Sequence, residues 1–380
     1  MESITTPSVA TSPDALRPDV LGLSLPRLRE TLAPVLDRPF RAGQIYEAIH
    51  RRGVLDFAAM TDLPQAMRAE LAAGFRLGLP EIAERRVSAD GTAKYLFRLP
   101  GAATVEAVDI PDRGRRTFCI SSQAGCALGC TFCVTGYWGA GRNLTAGEIV
   151  AQVLALRKHG GLGIGDAVNL VFMGMGEPLL NLENLKDAID LLSETISPRR
   201  ITVSTVGVVP GIEELAGWER RPNLAVSLHA PDDERRSRIM PVNRTYPLAE
   251  LFAALDRYPL EKGRRITYEY LLIRGFNDAG SDADRLARLL RGRRAKVNLI
   301  PINPDAVLGE TMVPPSDAAI QAFQERLLGH GLTATVRKRR GDDVSAACGQ
   351  LRAFGREARG FRATGTVRGA ESRGPGGAGS

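Results

Sequence analysis

The sequence predicts an α/β protein in which a partial (β/α)6 barrel follows a small helical module and a short β extension. Two observations predict the barrel: six short apolar runs rich in β-branched residues recur between residues 116 and 301, and helical patterns separate most of them. Strands that alternate with helices form βαβ units and a parallel sheet. A third observation predicts the module and the extension: the spacing of apolar residues changes twice in the part of the chain before the barrel. A chain of 380 residues is long enough for all three parts.

The region before the barrel divides by its hydrophobic period. Residues 1–18 are polar, contain proline and show no period, so we expect them to be disordered. Apolar residues at spacings of three and four predict a helical domain over residues 19–78. Residues 79–112 then alternate between apolar and polar, which predicts strands, and the dipeptide Asp90-Gly91 predicts a hairpin turn.

The barrel itself is predicted over residues 113–353. Its six predicted strands are RTFCIS, AVNLVFM, RITVST, NLAVSLH, RITYEYLLI and AKVNLIP. The helix TAGEIVAQVLALRK opens with a capping box formed by Thr145 and Glu148, and PSDAAIQAFQERLLGH predicts a second clear helix. Barrels of this kind bind ligands at the carboxyl ends of their strands. Residues 354–380 contain too few apolar residues to fold alone, so we expect a disordered basic tail.

Charge and cysteine content narrow the classes of function. No run approaches the ~18 apolar residues of a membrane helix, and the first residues lack the pattern of a secretory signal. Five cysteines, an odd number, suit thiol or metal chemistry in the cytoplasm better than a disulfide framework. The net charge is +7, with four consecutive positive residues at 337–340 and six arginines from residue 351 onwards. This basic region suits a nucleic-acid backbone, but a solvated end that only aids solubility fits equally well.

Three of the five cysteines, Cys126, Cys130 and Cys133, fall within the eight residues CALGCTFC. A structural zinc site needs four protein ligands, whereas the sequence has no second cysteine pair and none of its four histidines stands at paired spacing. A [4Fe–4S] cluster held by three cysteines keeps one iron open for a substrate or cofactor. The three thiols follow a predicted strand and precede a capped helix, which places them at the ligand-binding end of the first βα unit.

Other predicted strands also end in glycines or polar residues. In MGMGEPL, Gly174 and Gly176 allow close approach to the backbone and the Glu177 carboxylate can accept from an amine, although a tight strand-to-helix turn explains the same residues. The nearby GLGIG follows a helix and precedes a strand, so it fits a helix stop and connector rather than a dinucleotide loop. His229 fits a structural strand-end histidine as well as a ligand. Polar residues that would ring one site at further strand ends are Ser204, Ser227, His229 and Asn303.

The C-x3-C-x2-C spacing, with an aromatic residue before the third cysteine and at the head of a βα barrel, resembles the radical S-adenosylmethionine (SAM) superfamily. The resemblance implies a radical SAM barrel in which Cys126, Cys130 and Cys133 hold a [4Fe–4S] cluster. It implies further that the open iron chelates SAM and that the reduced cluster cleaves SAM to a 5′-deoxyadenosyl radical. The SAM contacts that it implies are Gly176, Glu177, Ser204, Ser227, Leu228, His229 and Asn303.

Longer motifs resemble the RlmN/Cfr family of RNA adenine methyltransferases, and within it the adenine-C2 branch. They are RPFRAGQIYEAIHRRGV, RNL, MGMGEPL, SLHAPDDERRSRIMPVN, VNLIPINP and VRKRRGDDVSAACGQL, and the resemblance covers about residues 20–353. It implies an enzyme that forms 2-methyladenosine in the peptidyl-transferase region of 23S rRNA and at the adenosine 3′ of the anticodon in some tRNAs. The helical domain and the basic C-terminal stretch would contact the RNA. We further expect a flavodoxin-type electron donor, a monomer and a cytoplasmic location.

The same resemblance assigns roles to the remaining two cysteines and to one glutamate. One SAM methylates Cys348, and a second SAM, bound at the cluster, yields the radical that takes hydrogen from the S-methyl group, so that two SAM are used per turnover. The methylene radical adds to adenine C2 and forms a protein–RNA adduct. Glu106 removes the C2 proton, and Cys119 attacks the sulfur of Cys348, which releases the product and leaves a Cys119–Cys348 disulfide. Without the resemblance, both cysteines fit small buried hydrophobic residues and Glu106 fits a surface carboxylate.

Two alternatives remain at this stage. A Cfr-like relative would methylate C8 of the same rRNA adenosine with the same cluster and thiols, so the short motifs discriminate weakly. A non-enzymatic, zinc-containing RNA-binding protein would bind zinc and would not cleave SAM, but its site lacks a fourth thiol or a paired histidine.

Overall fold

A computed structural model describes residues 17–112, 114–309, 312–346 and 349–351, and one ten-stranded sheet runs through it. The strands lie side by side in their order along the chain. They are β1 Glu81–Val87, β2 Ala93–Arg98, β3 Thr104–Asp112, β4 Arg115–Cys119, β5 Val168–Phe172, β6 Ile201–Thr205, β7 Asn223–Ser227, β8 Ile266–Leu272, β9 Ala295–Pro301 and β10 Thr333–Val336. The disorder predicted for residues 1–16 and 354–380 lies outside the described residues, and so does Cys348.

Seven parallel strands, β4 to β10, form the barrel part of the sheet, and β1 and β10 are the two edge strands. Strands β4 to β9 are the six predicted strands, so the predicted α/β fold class is confirmed. The sequence analysis missed β10. This strand has only four residues, alternates between exposed and buried, and leads directly into the basic residues, so it forms no separate apolar run.

Eleven helices accompany the strands in the described residues. They are α1 Leu25–Leu32, α2 Arg41–His50, α3 Gln65–Gly74, α4 Val134–Tyr137, α5 Ala146–His159, α6 Leu182–Leu192, α7 Val209–Ala216, α8 Asp233–Ile239, α9 Leu248–Arg257, α10 Gly280–Leu290 and α11 Asp317–Gly329. The predicted capping box on α5 is confirmed, because the Thr145 hydroxyl accepts from the Glu148 N–H at 3.2 Å and the Glu148 carboxylate accepts from the Thr145 N–H at 2.9 Å. Alternate residues of β5 (Val168, Leu170 and Phe172) are buried in the main core, so the residues between them face the barrel interior.

The β extension is an antiparallel meander that continues the barrel sheet. The predicted hairpin joins β1 to β2, where Gly91 has a φ of +83° and donates its N–H to the Ser88 carbonyl at 2.9 Å. Strand β3 then pairs with both β2 and β4. Its register places Val108 opposite Lys94 of β2 and opposite Cys119 of β4, so these three side chains lie on one face of the sheet. That face is the barrel interior, because Cys119 is also the partner of Val171 in β5.

Helices α1 to α3 form a small domain that packs against the barrel. Gly22 lies so close to the backbone of Gly147 in α5 that a Cβ would have no room. The Arg51 guanidinium donates to the Glu194 carboxylate at 2.9 Å and so joins α2 to the end of α6. Pro18, which we expected to be disordered, belongs to this domain, since its carbonyl accepts from the Arg76 N–H at 3.1 Å. Among the residues that the structure describes, every helix is too short or too polar to cross a lipid bilayer.

Candidate active site

The three clustered cysteines lie in the loop between β4 and α5, at the carboxyl end of β4. The Cys126 N–H donates to the Gly139 carbonyl at 3.1 Å, and the Cys133 N–H donates to the Cys130 carbonyl at 3.1 Å. Cys130 is buried, whereas Cys126 and Cys133 are half-buried. These backbone bonds fold the loop back on itself, and all three thiols line one cavity at the carboxyl ends of the strands.

Gly176 and Glu177, which follow β5, line the same cavity. Gly176 has a φ of +92°, and a Cβ there would collide with Gln123, so only glycine allows this path of the backbone. The Glu177 side chain is buried, and its two oxygens accept from the N–H groups of Leu179 at 3.0 Å and Val206 at 2.9 Å. Burial raises the pKa of Glu177 to about 7. The carboxylate that we expected to receive an amine therefore also holds the β5 and β6 strand ends together.

Further strand ends contribute the polar side chains of Ser204, Ser227 and Asn303 to the same cavity. Leu228 differs from them, because its side chain is fully buried in the main hydrophobic core. Its backbone N–H donates to the carbonyl of Glu269 in β8 at 3.0 Å. Leu228 therefore ties β7 to β8 through its backbone, and its neighbour Ser227 faces the cavity.

His229 turns the chain at the end of β7 and faces the cavity. Its φ of +59° is uncommon for a residue other than glycine, and such strain concentrates at functional sites. Nδ1 accepts from the Leu271 N–H at 3.0 Å, and the ring meets the Phe132 ring edge-on at a centroid distance of 4.7 Å. Burial lowers the pKa of His229 to about 3, so the ring is neutral and carries its proton on Nε2. The aromatic residue before the third cysteine thus packs on the histidine of the opposite strand.

The cavity brings together most of the residues that the sequence singled out. It has a volume of about 150 Å³. The predicted residues among its lining are Cys126, Cys130, Cys133, Gly176, Glu177, Ser204, Ser227, His229 and Asn303. Gly349, next to Cys348 in the sequence, also lines it. Residues from five strand ends and from the C-terminal segment therefore meet in one place.

Comparisons with known proteins agree with this arrangement. A family model for the N-terminal domain of ribosomal RNA large subunit methyltransferases matches residues 18–77, and a radical SAM superfamily model matches residues 120–290. A dual-specificity RNA methyltransferase RlmN from Anaeromyxobacter dehalogenans (strain 2CP-C) is 49% identical over 347 residues, which cover 89% of this chain and 92% of that protein. The chain belongs to the RlmN family.

Two further relatives support the assignment. The RlmN from Halorhodospira halophila (strain DSM 244 / SL1) is 48% identical over 348 residues, covering 90% of this chain and 95% of that one. The crystal structure of a radical SAM methyltransferase from Sphaerobacter thermophilus superposes with a TM-score of 0.82 at 45% identity, covering 88% of this chain and 99% of that one. As an RlmN family member, the chain is a radical SAM RNA methyltransferase, and the family uses a [4Fe–4S] cluster and SAM.

The three thiols of the RlmN cysteine loop fit a [4Fe–4S] cluster. Burial raises the pKa of Cys126 to about 11 and that of Cys130 well above its ordinary value, and the neighbouring cysteines raise both further by charge repulsion. Charge repulsion between their thiolates means that the three sulfurs share one small space, and such thiols lose their protons when metal binds. Among the described residues, no group of three or more His, Cys, Asp or Glu side chains is arranged to hold a single metal ion. Each thiolate of a cluster binds a different iron, so a cluster needs a wider spread of sulfurs than one zinc ion does.

The two RlmN residues predicted to act on the RNA adduct lie on the interior face beside the cavity. Cys119 is buried at the end of β4. Glu106 of β3 is fully buried, although without the resemblance its sequence pattern fits a surface carboxylate. Its carboxylate pairs with the Lys94 ammonium of β2 at 3.1 Å. Sequence reasoning missed Lys94. The available signal was a lysine within an otherwise apolar strand.

Cys348 lies outside the described residues, but the chain after it is held against the cysteine loop. The Gly349 carbonyl accepts from the Val134 N–H at 2.7 Å, directly after Cys133. The Leu351 carbonyl accepts from the Thr135 hydroxyl at 2.8 Å. Two successive bonds therefore join the C-terminal segment of the RlmN fold to α4 at the edge of the cavity.

Sequence reasoning also missed two buried charged residues in this site. Arg236 of α8 is fully buried, and its guanidinium donates to the carbonyls of Val206, Ser227 and Leu228. Glu269 of β8 lines the cavity, and its carboxylate accepts from the Asn298 amide at 2.7 Å. Burial raises the pKa of Glu269. A charged residue inside an apolar parallel strand was the available signal for Glu269, because such strands are normally buried on both faces.

Proposed function

We propose that this chain forms 2-methyladenosine in RNA, at one adenosine of the 23S rRNA peptidyl-transferase region and at the adenosine 3′ of the anticodon in a subset of tRNAs. The observation that supports this most is the shared cavity. The three thiols, the SAM-binding strand ends and the segment next to Cys348 all border it. Adenine C2 lies between two ring nitrogens and is electron-poor, so it does not attack the methyl group of SAM directly.

In this proposal Cys126, Cys130 and Cys133 hold the cluster, and two SAM molecules are used in each turnover. The cluster and SAM supply a radical able to take hydrogen from a methyl group. Gly176 lets the backbone approach the amino end of SAM, and the Nε2–H of His229 is a hydrogen-bond donor on the cavity wall. Ser204, Ser227 and Asn303 present further polar groups to the same ligand. Leu228 contributes through its backbone.

The remaining residues act on the methyl carbon and on the RNA. Cys348 carries the methyl group as a thioether and becomes linked to adenine through its methylene carbon. Glu106 accepts the C2 proton of this adduct, and the one electron that the adduct must also lose would return to the cluster. The Cys119 sulfur then attacks the Cys348 sulfur, so that an S–S bond forms and the S–CH2 bond breaks with its electron pair going to the methylene carbon. That carbon takes up a proton and becomes the methyl group of the released base. Cys119 is buried on the interior face that also carries Glu106, which suits a thiol that acts only after adduct formation.

We further propose that the α1–α3 domain and the basic residues after β10 contact RNA phosphates. Lys338 and Arg339 are exposed and follow Arg337, which lines the cavity. Phosphate contacts of this kind fix the position of a nucleic acid without reading its sequence. The target adenosine must leave its stack to reach the cavity. The proposal also includes a flavodoxin-type electron donor and a monomeric enzyme.

Identification of the methylated nucleoside tests the proposal. The enzyme is reconstituted anaerobically and incubated with labelled SAM, a reductant, and either an rRNA fragment or tRNA, and the digested nucleosides are compared with 2-methyl- and 8-methyladenosine. We expect 2-methyladenosine from both RNAs. 8-Methyladenosine would instead favour the Cfr-like alternative, and stoichiometric zinc without SAM cleavage would favour the RNA-binding alternative.

A second experiment tests the roles proposed for Cys119 and Cys348. Because Cys119 acts after the adduct forms, Cys119→Ala protein should accumulate covalently bound RNA, whereas Cys348→Ala protein should not. Denaturing gels with labelled RNA measure both variants. Equal crosslinking in the two variants would contradict the assigned roles.

A further inference from the structure

A buried ion pair joins β2 to β3 on the interior face of the sheet. Lys94 Nζ lies 3.1 Å from Glu106 Oε1, and the two side chains are 3% and 0% exposed. Burying two charges is costly, and replacing such a pair by apolar residues is often neutral or stabilising. Lys94 also lies in a strand whose neighbouring residues, from Ala93 to Phe97, are all buried. A gain in stability therefore does not explain why this ion pair is present.

The same ammonium also reaches the segment that leads to Cys348. Lys94 Nζ donates to the Ser345 carbonyl at 3.2 Å, three residues before Cys348. Ser345 has a φ of +50°, which is uncommon for serine, so the segment is held in a specific conformation there. Two contacts from the meander hold the start of the same segment: Asp90 accepts from the Gly341 N–H at 3.2 Å, and Asp343 accepts from the Ala89 N–H at 3.2 Å.

We infer that Lys94 is a positioning residue that holds the Glu106 carboxylate in place beside the segment that leads to Cys348. The inference rests on the proposed function, in which Glu106 accepts the adenine C2 proton. One ammonium pairs with the Glu106 carboxylate and donates to the Ser345 carbonyl in the segment that leads to Cys348. It thereby sets where the base stands relative to the adduct, and Lys94 acts through Glu106.

The test follows the adduct in a single turnover. Lys94→Met keeps the length of the side chain and removes its charge, so the packing of β2 is largely retained. Enzyme with labelled RNA is quenched at intervals, and denaturing gels follow the adduct as it forms and disappears. We expect the adduct to form as in the wild type. Its resolution should be roughly tenfold to a hundredfold slower, because a misplaced general base lowers the rate of proton transfer by a factor of this size.

Two readouts separate positioning from a structural role. RNA deuterated at adenine C2 should show a larger isotope effect on resolution in Lys94→Met than in the wild type, because proton removal becomes slower relative to the other steps. The double variant Lys94→Met/Glu106→Gln should resolve adduct no more slowly than Glu106→Gln alone, since Lys94 acts through Glu106. If the double variant instead resolved adduct more slowly than Glu106→Gln by the factor that Lys94→Met shows alone, the two residues would act independently and the inference would be overturned.

The matched control is a second ion pair that also involves β3. Asp109 of β3 is fully buried and pairs with Arg116 of β4, on the face opposite to Glu106. Arg116→Met should leave the adduct lifetime and the isotope effect unchanged. A Lys94→Met protein that resolves adduct like the wild type would overturn the inference alone, whereas a wild type that forms no adduct would overturn the proposed function.

Discussion

At the scale of single residues, buried ionisable side chains hold the strand ends of the site through hydrogen bonds to the backbone. They are Arg236, Glu177 and His229. Each is a buried, ionisable side chain, and each bonds to the backbone of a neighbouring strand end rather than to another charge. Buried polar groups are tolerated when their hydrogen bonds are satisfied. These bonds fix the strand ends relative to one another, so the polar side chains that face the cavity are carried on backbone that is held in place.

Arg236→Met tests this dependence. The substitution removes the donors to the Val206, Ser227 and Leu228 carbonyls and leaves these buried acceptors without them. We expect the free energy of unfolding to fall by roughly 2–4 kcal/mol and the affinity for SAM to fall with it. Urea denaturation and equilibrium dialysis with labelled SAM measure the two effects. Arg238→Met, an exposed residue on the same helix, is the control and should change neither quantity.

At the scale of elements, the polar residues after β10 lie at the carboxyl ends of the parallel strands, where the cavity opens. Lys338→Ala and Arg339→Ala should each weaken RNA binding and reduce the slope of log affinity against log salt by about one. The 2-methyladenosine yield at saturating RNA should stay the same, because neither residue touches SAM in the proposal. Filter binding at several salt concentrations measures the slope.

The control for these variants lies at the other end of the same strands. Lys262 and Arg265 are exposed just before β8, at the amino end of the sheet. Lys262→Ala and Arg265→Ala should leave the salt slope unchanged. If both pairs of variants changed the slope equally, the basic residues after β10 would not be a specific RNA contact.

The same elements show what the sequence could and could not predict. The capping box of α5 and the Asp90-Gly91 hairpin depend on residues close in the sequence, so both were predicted correctly. The cysteine spacing likewise placed three thiols in one loop. Lys94 was missed because its partner depends on how β2 and β3 are paired, which a local pattern does not specify. Strand β10 was missed because four residues are too few to show a period.

At the scale of the whole molecule, the α1–α3 domain and the barrel are joined through one shared carboxylate. The Glu194 carboxylate at the end of α6 accepts from Arg51 of the helical domain at 2.9 Å and from Arg220 of the barrel at 3.3 Å. His50 lies beside this contact, buried, with its ring 4.7 Å from that of Tyr46. An RNA contact made by the helical domain would therefore act on a surface held firmly against the catalytic barrel.

His50 should make the stability of this arrangement depend on pH. Burial lowers its pKa from the ordinary 6.5 to about 4, so the folded protein keeps the ring neutral where the unfolded chain protonates it. Between these values the unfolded state binds more protons, and the free energy of unfolding must fall as the pH falls from 6.5 towards 4. The full loss attributable to His50 is roughly 3 kcal/mol, at 1.36 kcal/mol per pKa unit.

A comparison of the wild type with His50→Phe isolates this contribution from that of His229, whose pKa is also lowered by burial. Phenylalanine keeps an aromatic ring beside Tyr46 and does not titrate. Urea denaturation of both proteins at pH values between about 4.5 and 7.5 should show the wild type losing more stability than the variant as the pH falls, because only the wild type carries the His50 proton in its unfolded state. Parallel pH profiles would mean that His50 gains a proton as easily in the folded domain as in the unfolded chain, and that it does not make the stability of this arrangement depend on pH.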